Sequence, residues 1–309
     1  MLAIINPTAG GGKALAKWRR IEPRLREILG PVAIFRTTSR DELQAAMPAL
    51  LARGHREFLA AGGDGTVNAV LSALVDHADA DLLPGITVGA VGLGSSNDFH
   101  KPFQRTIDGI PCRIDRDRAC LHDVGLLDYR DAEGATGAHY WFVNASIGIA
   151  AEANDLFNHP DRLLRFLKRV STSIAIAYAA LRAIVINRPR DLALTIGDRV
   201  LAHRPVRNLG FVKNPHFAGS LRYDSPHLPD SGCFHVHRLG PVSRPGLLRA
   251  LVRLARGRFA GGRETRSWLA NRAEVRDGDG SFLVECDGEV VRARVARFSI
   301  LPGKVRLCS

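Results

Sequence analysis

Three glycine-rich turns, each set directly behind a short apolar run, restrict what this chain can fold into more than any other feature. They fall at residues 6–13 (NPTAGGGK, after LAII), 62–66 (GGDGT, after FLAA) and 92–98 (GLGSSND, after TVGAV). A short apolar run followed by a longer amphipathic one reads as strand then helix. The glycines therefore stand where strand ends give way to helix starts, the edge at which open α/β sheets hold their ligands. Over the first 100 residues the alternation runs LAIIN, a helical pattern at 13–29, VAIFRT, a second at 41–53, EFLAAGGDGT, a helix from Thr66 to about Val75, and ITVGAVGLG from Ile86. Such βαβ repetition predicts a layered, mostly parallel sheet.

After about Cys120 the texture changes. HDVGLLDY, the turn DAEGATGAH and YWFVNASIGI read as an antiparallel hairpin. A helical interruption at 152–187 is followed by LALTIG, RVLAHRP, RNLGFVK, CFHVHRL, FLVECDG, EVVRARV and FSILPGKVRL. The second domain is expected to be mainly β, with the boundary near Asp123. A length of 309 residues suits two domains, and 46% hydrophobic with 24% charged residues suits a chain folded throughout.

The opening MLAIINPTAGGGK has no basic stretch ahead of its short apolar run, so no secretory signal is expected. The longest apolar run, IAIAYAALRAIVI at 174–186, is shorter than the roughly 20 residues of a membrane span and contains Arg182. Cys112, Cys120, Cys233, Cys286 and Cys308 are widely spaced and form no disulfide framework, which points to a reducing cytosol. Lys and Arg number 43 against 31 Asp and Glu, a formal charge of +12. That excess attracts nucleic acid, anionic phospholipid or a nucleoside triphosphate alike, and base composition of the genome explains it as well.

Gly62, Gly63 and Gly65 allow backbone N–H groups to approach an anion closely, and the helix start behind them adds a dipole favourable to phosphate. Asp64 would repel bare phosphate, so its chemistry runs through Mg2+ or a proton. A plain tight turn is the other reading of GGDG. The turn at 6–13 opens on the same edge, yet a Walker A loop is excluded, because Pro7 stands where that loop needs Gly and Ala14 where it needs a hydroxyl. In the third turn Ser95, Ser96 and Asn97 offer neutral donors and Asp98 a second carboxylate. A helix N-cap is the alternative there.

In that order and spacing, NPTAGGGK, GGDGTVN and GSSNDF resemble the three nucleotide-site motifs of the diacylglycerol kinase family, which includes sphingosine, ceramide and bacterial lipid kinases. The likeness continues through DVG at 123–125, FVNASIG at 142–148, PDSGCFHV at 229–236, ECDGE at 285–289 and the ending LPGKVRL. GGDGT alone is shared with NAD kinases. The resemblance implies an α/β N-terminal domain with a mostly parallel sheet at 1–123, and a C-terminal β-rich sandwich domain at 124–296 with the helical insertion 152–187. The last strand, 297–309, is expected to return to the first domain, with the active site in a cleft.

By the same resemblance the cofactors are ATP and Mg2+. Gly62, Gly63, Asp64, Gly65 and Thr66 would wrap the phosphates, and Asn6, Asn68, Ser95 and Ser96 would contact the nucleotide. Asp98, Asp123 and Asp287 would belong to the surroundings of Mg2+. Glu289 is the first choice for the base that takes the lipid hydroxyl proton, Asp64 the second, and Asp98 completes the catalytic set; phosphoryl transfer needs charge neutralisation, in-line placement and such a base. A simple two-strand turn is the other reading of residues 287–289. Departures from the family pattern are Ala69 where an acid is common, GSSNDFHK with His100 and Lys101 where Ala-Arg is common, and Ser231 where many relatives carry a second acid, which puts a structural metal near Asp230 in doubt.

The stretch 161–187 sets Leu163, Leu164, Phe166, Leu167 and Val170 beside Arg162, Arg165, Lys168 and Arg169. A core helix accounts for this as well as a lipid-binding one, and in context the lipid reading is preferred. Residues 244–276 hold nine arginines against two acids, a membrane-facing or a solvated surface. His235 and His237 share a strand face and could ligate zinc with His227 or Cys233, though strand histidines are usually structural. Trp18, Trp141 and Trp268 read as packing residues, and no nucleic-acid partner is expected. The reading is therefore an ATP-dependent lipid kinase, cytoplasmic and peripherally membrane-associated, acting on diacylglycerol first and on ceramide or sphingoid bases behind it. Its partners are a lipid substrate at the membrane surface and anionic headgroups, with a homodimer left open. A soluble-substrate kinase of the NAD kinase type and a non-catalytic nucleotide- or lipid-binding module are the alternatives.

Overall fold

The computed structural model describes residues 1–278 and 280–309, the side chains of residues 202–204 excepted. The chain divides into two compact units, Met1–Val124 with Pro302–Ser309, and Gly125–Leu301.

The first unit alternates β1 (Leu2–Ile5), α1 (Ala14–Leu29), β2 (Ala33–Arg36), α2 (Arg40–Ala52), β3 (Glu57–Gly62), α3 (Asp64–His77) and β4 (Thr87–Gly92). The four strands run parallel in the order β2, β1, β3, β4, with Ile4 opposite Ala60 and Ala60 opposite Ala90. β1, β3 and β4 are apolar and buried almost without a break, the signature of strands covered on both faces. β2 stands at the edge and stays largely exposed. α1 lays Trp18, Ile21, Leu25 and Leu29 into the core at helical spacing. α2 starts on a reciprocal cap: Ser39 Oγ accepts the Glu42 amide, and Glu42 reaches back to the Thr38 amide. A hairpin of β5 (Thr106–Ile107) and β6 (Ile110–Arg113) adds β6 antiparallel to β4.

The second unit opens with the end of β7 (Cys120–Arg130), which pairs with β8 (Thr136–Trp141), and continues through β9 (Asn144–Gly148), α4 (Ile149–Asn158), α5 (Arg162–Val170) and α6 (Thr172–Ile186). Then come β10 (Arg190–Ile196), β11 (Arg199–Val206), β12 (Asn208–Val212), the short pair β13 (His216–Phe217) and β14 (Leu221–Arg222), and β15 (Phe234–Leu239). α7 (Arg244–Ala255), β16 (Thr265–Ala270), β17 (Arg272–Asp277), β18 (Phe282–Cys286), β19 (Glu289–Ala293) and β20 (Val295–Leu307) complete the chain. The order β16, β15, β12, β9, β18, β19 makes an antiparallel six-stranded sheet. A second layer is built on β10, β11, β17 and the first half of β20. Between the layers lies one apolar core, in which Phe211 of β12 stacks on Phe298 of β20 at 3.6 Å between ring centres. The last residues of β20 pair parallel to β4 inside the first unit.

Two readings of the sequence are refined here. The run YWFVNASIGI is two strands, β8 and β9, because the backbone leaves one sheet at Phe142 and Val143 and enters the other. The helical stretch 152–187 is three helices, broken at Pro160 and again at Ser171, where Asp161 and Ser171 cap the helices that follow. The arginine-rich stretch 244–276 spans α7, β16 and most of β17.

Candidate functional site

The three glycine-rich turns meet at the C-terminal edge of the parallel sheet in the first unit. Gly10, Gly11 and Gly12 take φ of 60°, 68° and 83°, three successive left-handed residues that only glycine adopts without strain. A Cβ on Gly10 would lie 2.6 Å from the Leu93 carbonyl oxygen, and one on Gly94 would lie 2.5 Å from Cα of Gly63. The loops are thus in backbone contact, tied by the amides of Leu93 and Gly94, which both donate to the Gly62 oxygen (2.8 and 3.2 Å). Asn6 turns the chain out of β1 by accepting the Thr8 amide at 2.9 Å and the Thr8 hydroxyl at 2.7 Å.

α3 begins at Asp64 directly behind this contact, which places the first-turn amides and the positive end of the helix dipole at the loop edge. Thr66 is buried under Gly62, where any Cβ would collide with its hydroxyl at 2.2 Å. Asp64 Oδ1 accepts the Phe99 amide at 2.9 Å, so the second motif holds the third and the carboxylates of Asp64 and Asp98 come from neighbouring turns. Asp98 is 7% exposed and pairs with Lys101 Nζ at 2.8 Å. Asp123 is buried at the end of the unit, and its Oδ1 accepts the Gly303 amide at 2.8 Å, tying DVG to the LPGKVRL ending. Ser95 is exposed and Ser96 half-buried in the third turn. Asn68 does not face the loops alone: its Oδ1 accepts from the Arg40 guanidinium and from Ser72 Oγ, linking α3 to the start of α2.

Two basic residues at this edge escaped the motif reading. Lys17 Nζ donates to the carbonyls of Leu93 and Gly94 at 3.1 and 3.2 Å, and burial, helped by Lys13 and Arg20, holds its pKa below the usual lysine value. Arg40, the first residue of α2, donates through its guanidinium to Asn68 Oδ1. Lys17 lies one helical turn beyond Lys13, and the Ser39-x-x-Glu42 cap signature precedes a helix; both signals were present in the sequence. His100, on the same third turn, is buried with neither ring nitrogen bonded, and burial together with Arg113 pushes its pKa down to about 3.

In the second unit, Asp287 and Gly288 form the two-residue turn between β18 and β19, with φ of 47° and 94° and Cys286 opposite Glu289. The Asp287 carboxylate accepts the amides of Phe142, Val143 and Asn144 at 2.7, 3.0 and 3.1 Å. Those amides are the break between β8 and β9, so Asp287 creates the feature that the strand pattern missed. Glu289 opens β19 on the exposed side of the turn. Behind it Glu285 is fully buried; burial raises its pKa to about 7, opposed by hydrogen bonds from Ser146 and the Gly288 amide. The zinc reading of the histidines is not supported: His237 bonds Ser267 and Ser225 through its two nitrogens and stacks on Tyr223, and no cluster of three potential ligands occurs among the described residues. Trp18 and Trp141 are buried in the two cores.

Residues 1–122 match the family model for the diacylglycerol kinase catalytic domain, and residues 144–309 match the YegS C-terminal NAD kinase beta sandwich-like domain. The chain belongs to the diacylglycerol kinase family. A solved diacylglycerol kinase from Bacillus anthracis str. Sterne shares its fold at 14% identity, with a TM-score of 0.68 over 99% of this chain and 95% of that one. Two other solved chains from the same organism, at 16% and 15% identity, give TM-scores of 0.72 and 0.71 over 99% of this chain and 94% and 96% of theirs. A search of the curated proteins found no match. The carboxylates of Asp64 and Asp98, on neighbouring turns at this edge, carry the hard oxygen donors that Mg2+ takes, so the chemistry of the residues present fits that ion. No helix among the described residues is long and apolar enough to cross a membrane.

Proposed function

We propose that this protein is an ATP- and Mg2+-dependent lipid kinase that transfers a γ-phosphoryl group to a lipid hydroxyl, with diacylglycerol as the first substrate to test. The observation that carries the reading is the joined edge of Gly10, Gly63 and Gly94, three turns in backbone contact with Asp64 at the head of α3. Loop glycines and a helix start cradle the triphosphate. Asp64 and Asp98 would hold Mg2+, which when bound neutralises charge on the transferred group. Lys101 orients Asp98, and the Phe99 amide orients Asp64. Glu289, on a turn fixed by Asp287, is the proposed base for the acceptor hydroxyl.

The lipid side of the reading rests on α5 and α6. Leu163, Phe166 and Val170 are 51%, 60% and 60% exposed and share one face of α5, while Arg162, Arg165 and Arg169 border that face. Ile174, Leu181 and Val185 continue the exposed apolar surface along α6. An apolar stripe rimmed by arginine is the composition that lies in the interface of an anionic bilayer. The test is transfer of label from γ-labelled ATP into organic-extractable product, with Mg2+ and mixed micelles carrying one lipid class at a time. Label in one class identifies the acceptor. ATP binding with no labelled lipid would move the reading to a soluble acceptor or to a non-catalytic module.

A further inference from the structure

The turn that carries Glu289 is braced from inside the sheet by a carboxylate that none of the assigned site roles uses. Glu285 is 4% exposed and sits on β18 opposite Ser146 of β9 and Val290 of β19. Ser146 Oγ donates to its Oε2 at 2.7 Å, and the Gly288 amide donates to its Oε1 at 2.6 Å. In a two-residue hairpin turn the flanking pair, here Cys286 and Glu289, bond each other, and the amide of the second turn residue has no backbone acceptor. Glu285 supplies that acceptor. The Gly288 carbonyl is held in turn by Asn158 Nδ2 at 2.8 Å.

A hairpin alone has no need of this group. An apolar side chain at the same register position would satisfy the sheet without the cost of desolvating a carboxylate. What the carboxylate adds is a fixed orientation for the peptide between Asp287 and Gly288, one residue ahead of Glu289. We propose that Glu285 is a positioning residue for phosphoryl transfer, holding the turn so that the Glu289 carboxylate meets the acceptor hydroxyl in one geometry. This rests on the reading of Glu289 as base.

The test compares wild type, Glu285→Val, Glu285→Gln and Glu289→Gln by melting temperature, by steady-state kinetics and by amide hydrogen exchange at Gly288. Glu285→Val leaves the Gly288 amide and the buried Ser146 hydroxyl without their acceptor, so it is expected to melt somewhat below wild type but to stay folded, while kcat falls on the order of 10²-fold and KM for ATP holds, as a misplaced catalytic group requires. Glu285→Gln keeps an oxygen for the Gly288 amide and recovers most of kcat. Exchange at Gly288 rises in Glu285→Val and not in Glu285→Gln. Wild-type kcat in a folded Glu285→Val protein overturns the proposal, as does a parallel loss of melting temperature and kcat in both variants, which is what a merely structural residue gives. Unchanged protection at Gly288 in Glu285→Val refutes the brace itself, whatever the catalytic outcome. Full kcat in Glu289→Gln would instead remove the base assignment and the catalytic half of the proposal with it.

Discussion

A methyl group on Gly94 would stand 2.5 Å from Cα of Gly63, both of them backbone, so neither turn can yield without moving a strand end. Gly94→Ala is therefore expected to cost about 1–3 kcal/mol of stability and to weaken ATP binding, measured by urea unfolding and by nucleotide titration. Asp64→Asn differs in kind. The amide oxygen can still accept the Phe99 N–H, so the variant should melt with wild type while turnover falls by on the order of 10²–10³-fold. A third residue-scale expectation concerns acid. His237 is buried neutral, and burial, with His235 beside it and Asp224 opposing, lowers its pKa from 6.5 to about 4. The unfolded chain takes the proton first, so this residue's contribution to stability is complete above pH 6.5 and declines as the pH falls from 6.5 to about 4. In His237→Gln that slope disappears, and the stability gap to wild type narrows on acidification; parallel curves would contradict the assignment. That Gly62 and Asp64 stand in a turn between a strand and a helix is legible in the sequence, because glycines directly behind an apolar run mark the strand's end. Glu285 was not, since nothing in ECDGE says that its first acid points into the sheet and its last does not.

At the scale of elements, the alternation of apolar runs with 3.6-period patterns predicted β1 through β4 and α1 through α3 almost residue by residue, because a parallel sheet covered on both faces leaves an uninterrupted apolar signature. The run YWFVNASIGI reads as continuous in the sequence, since the break between β8 and β9 is made by Asp287 from more than a hundred positions away and leaves no local mark. The amphipathic signature of α5 was plain, but its direction was not: periodicity cannot say that Leu164 is buried while Leu163, Phe166 and Val170 face outward. That direction makes a prediction for the element. Phe166→Asp combined with Leu163→Glu should lower affinity for anionic vesicles at least tenfold, since burying each large apolar side chain in an interface is worth about 1.5–3 kcal/mol. Vesicle sedimentation at rising salt measures it, and the binding that remains should be more salt-sensitive. Unchanged sedimentation would place the membrane contact elsewhere.

For the whole molecule, the fold class expected from motif order, an α/β unit with a mostly parallel sheet and a β sandwich, is the fold observed, and both family models fall on the corresponding stretches. Fold alone does not fix chemistry. What separates a lipid kinase from an NAD-kinase-like enzyme or a binding module is the acceptor, and Ala69, in place of the usual acid after Asn68, leaves turnover as the property to measure. Asn68 itself is held by Arg40 and Ser72, which ties α3 to the start of α2. The most direct measurement is label transfer from γ-labelled ATP to diacylglycerol in mixed micelles with Mg2+, wild type against Asp64→Asn. Labelled phospholipid from wild type, reduced at least a hundredfold in a variant of equal melting temperature, is the predicted result. Equal label from both proteins, or none from a wild type that binds ATP, would contradict the account.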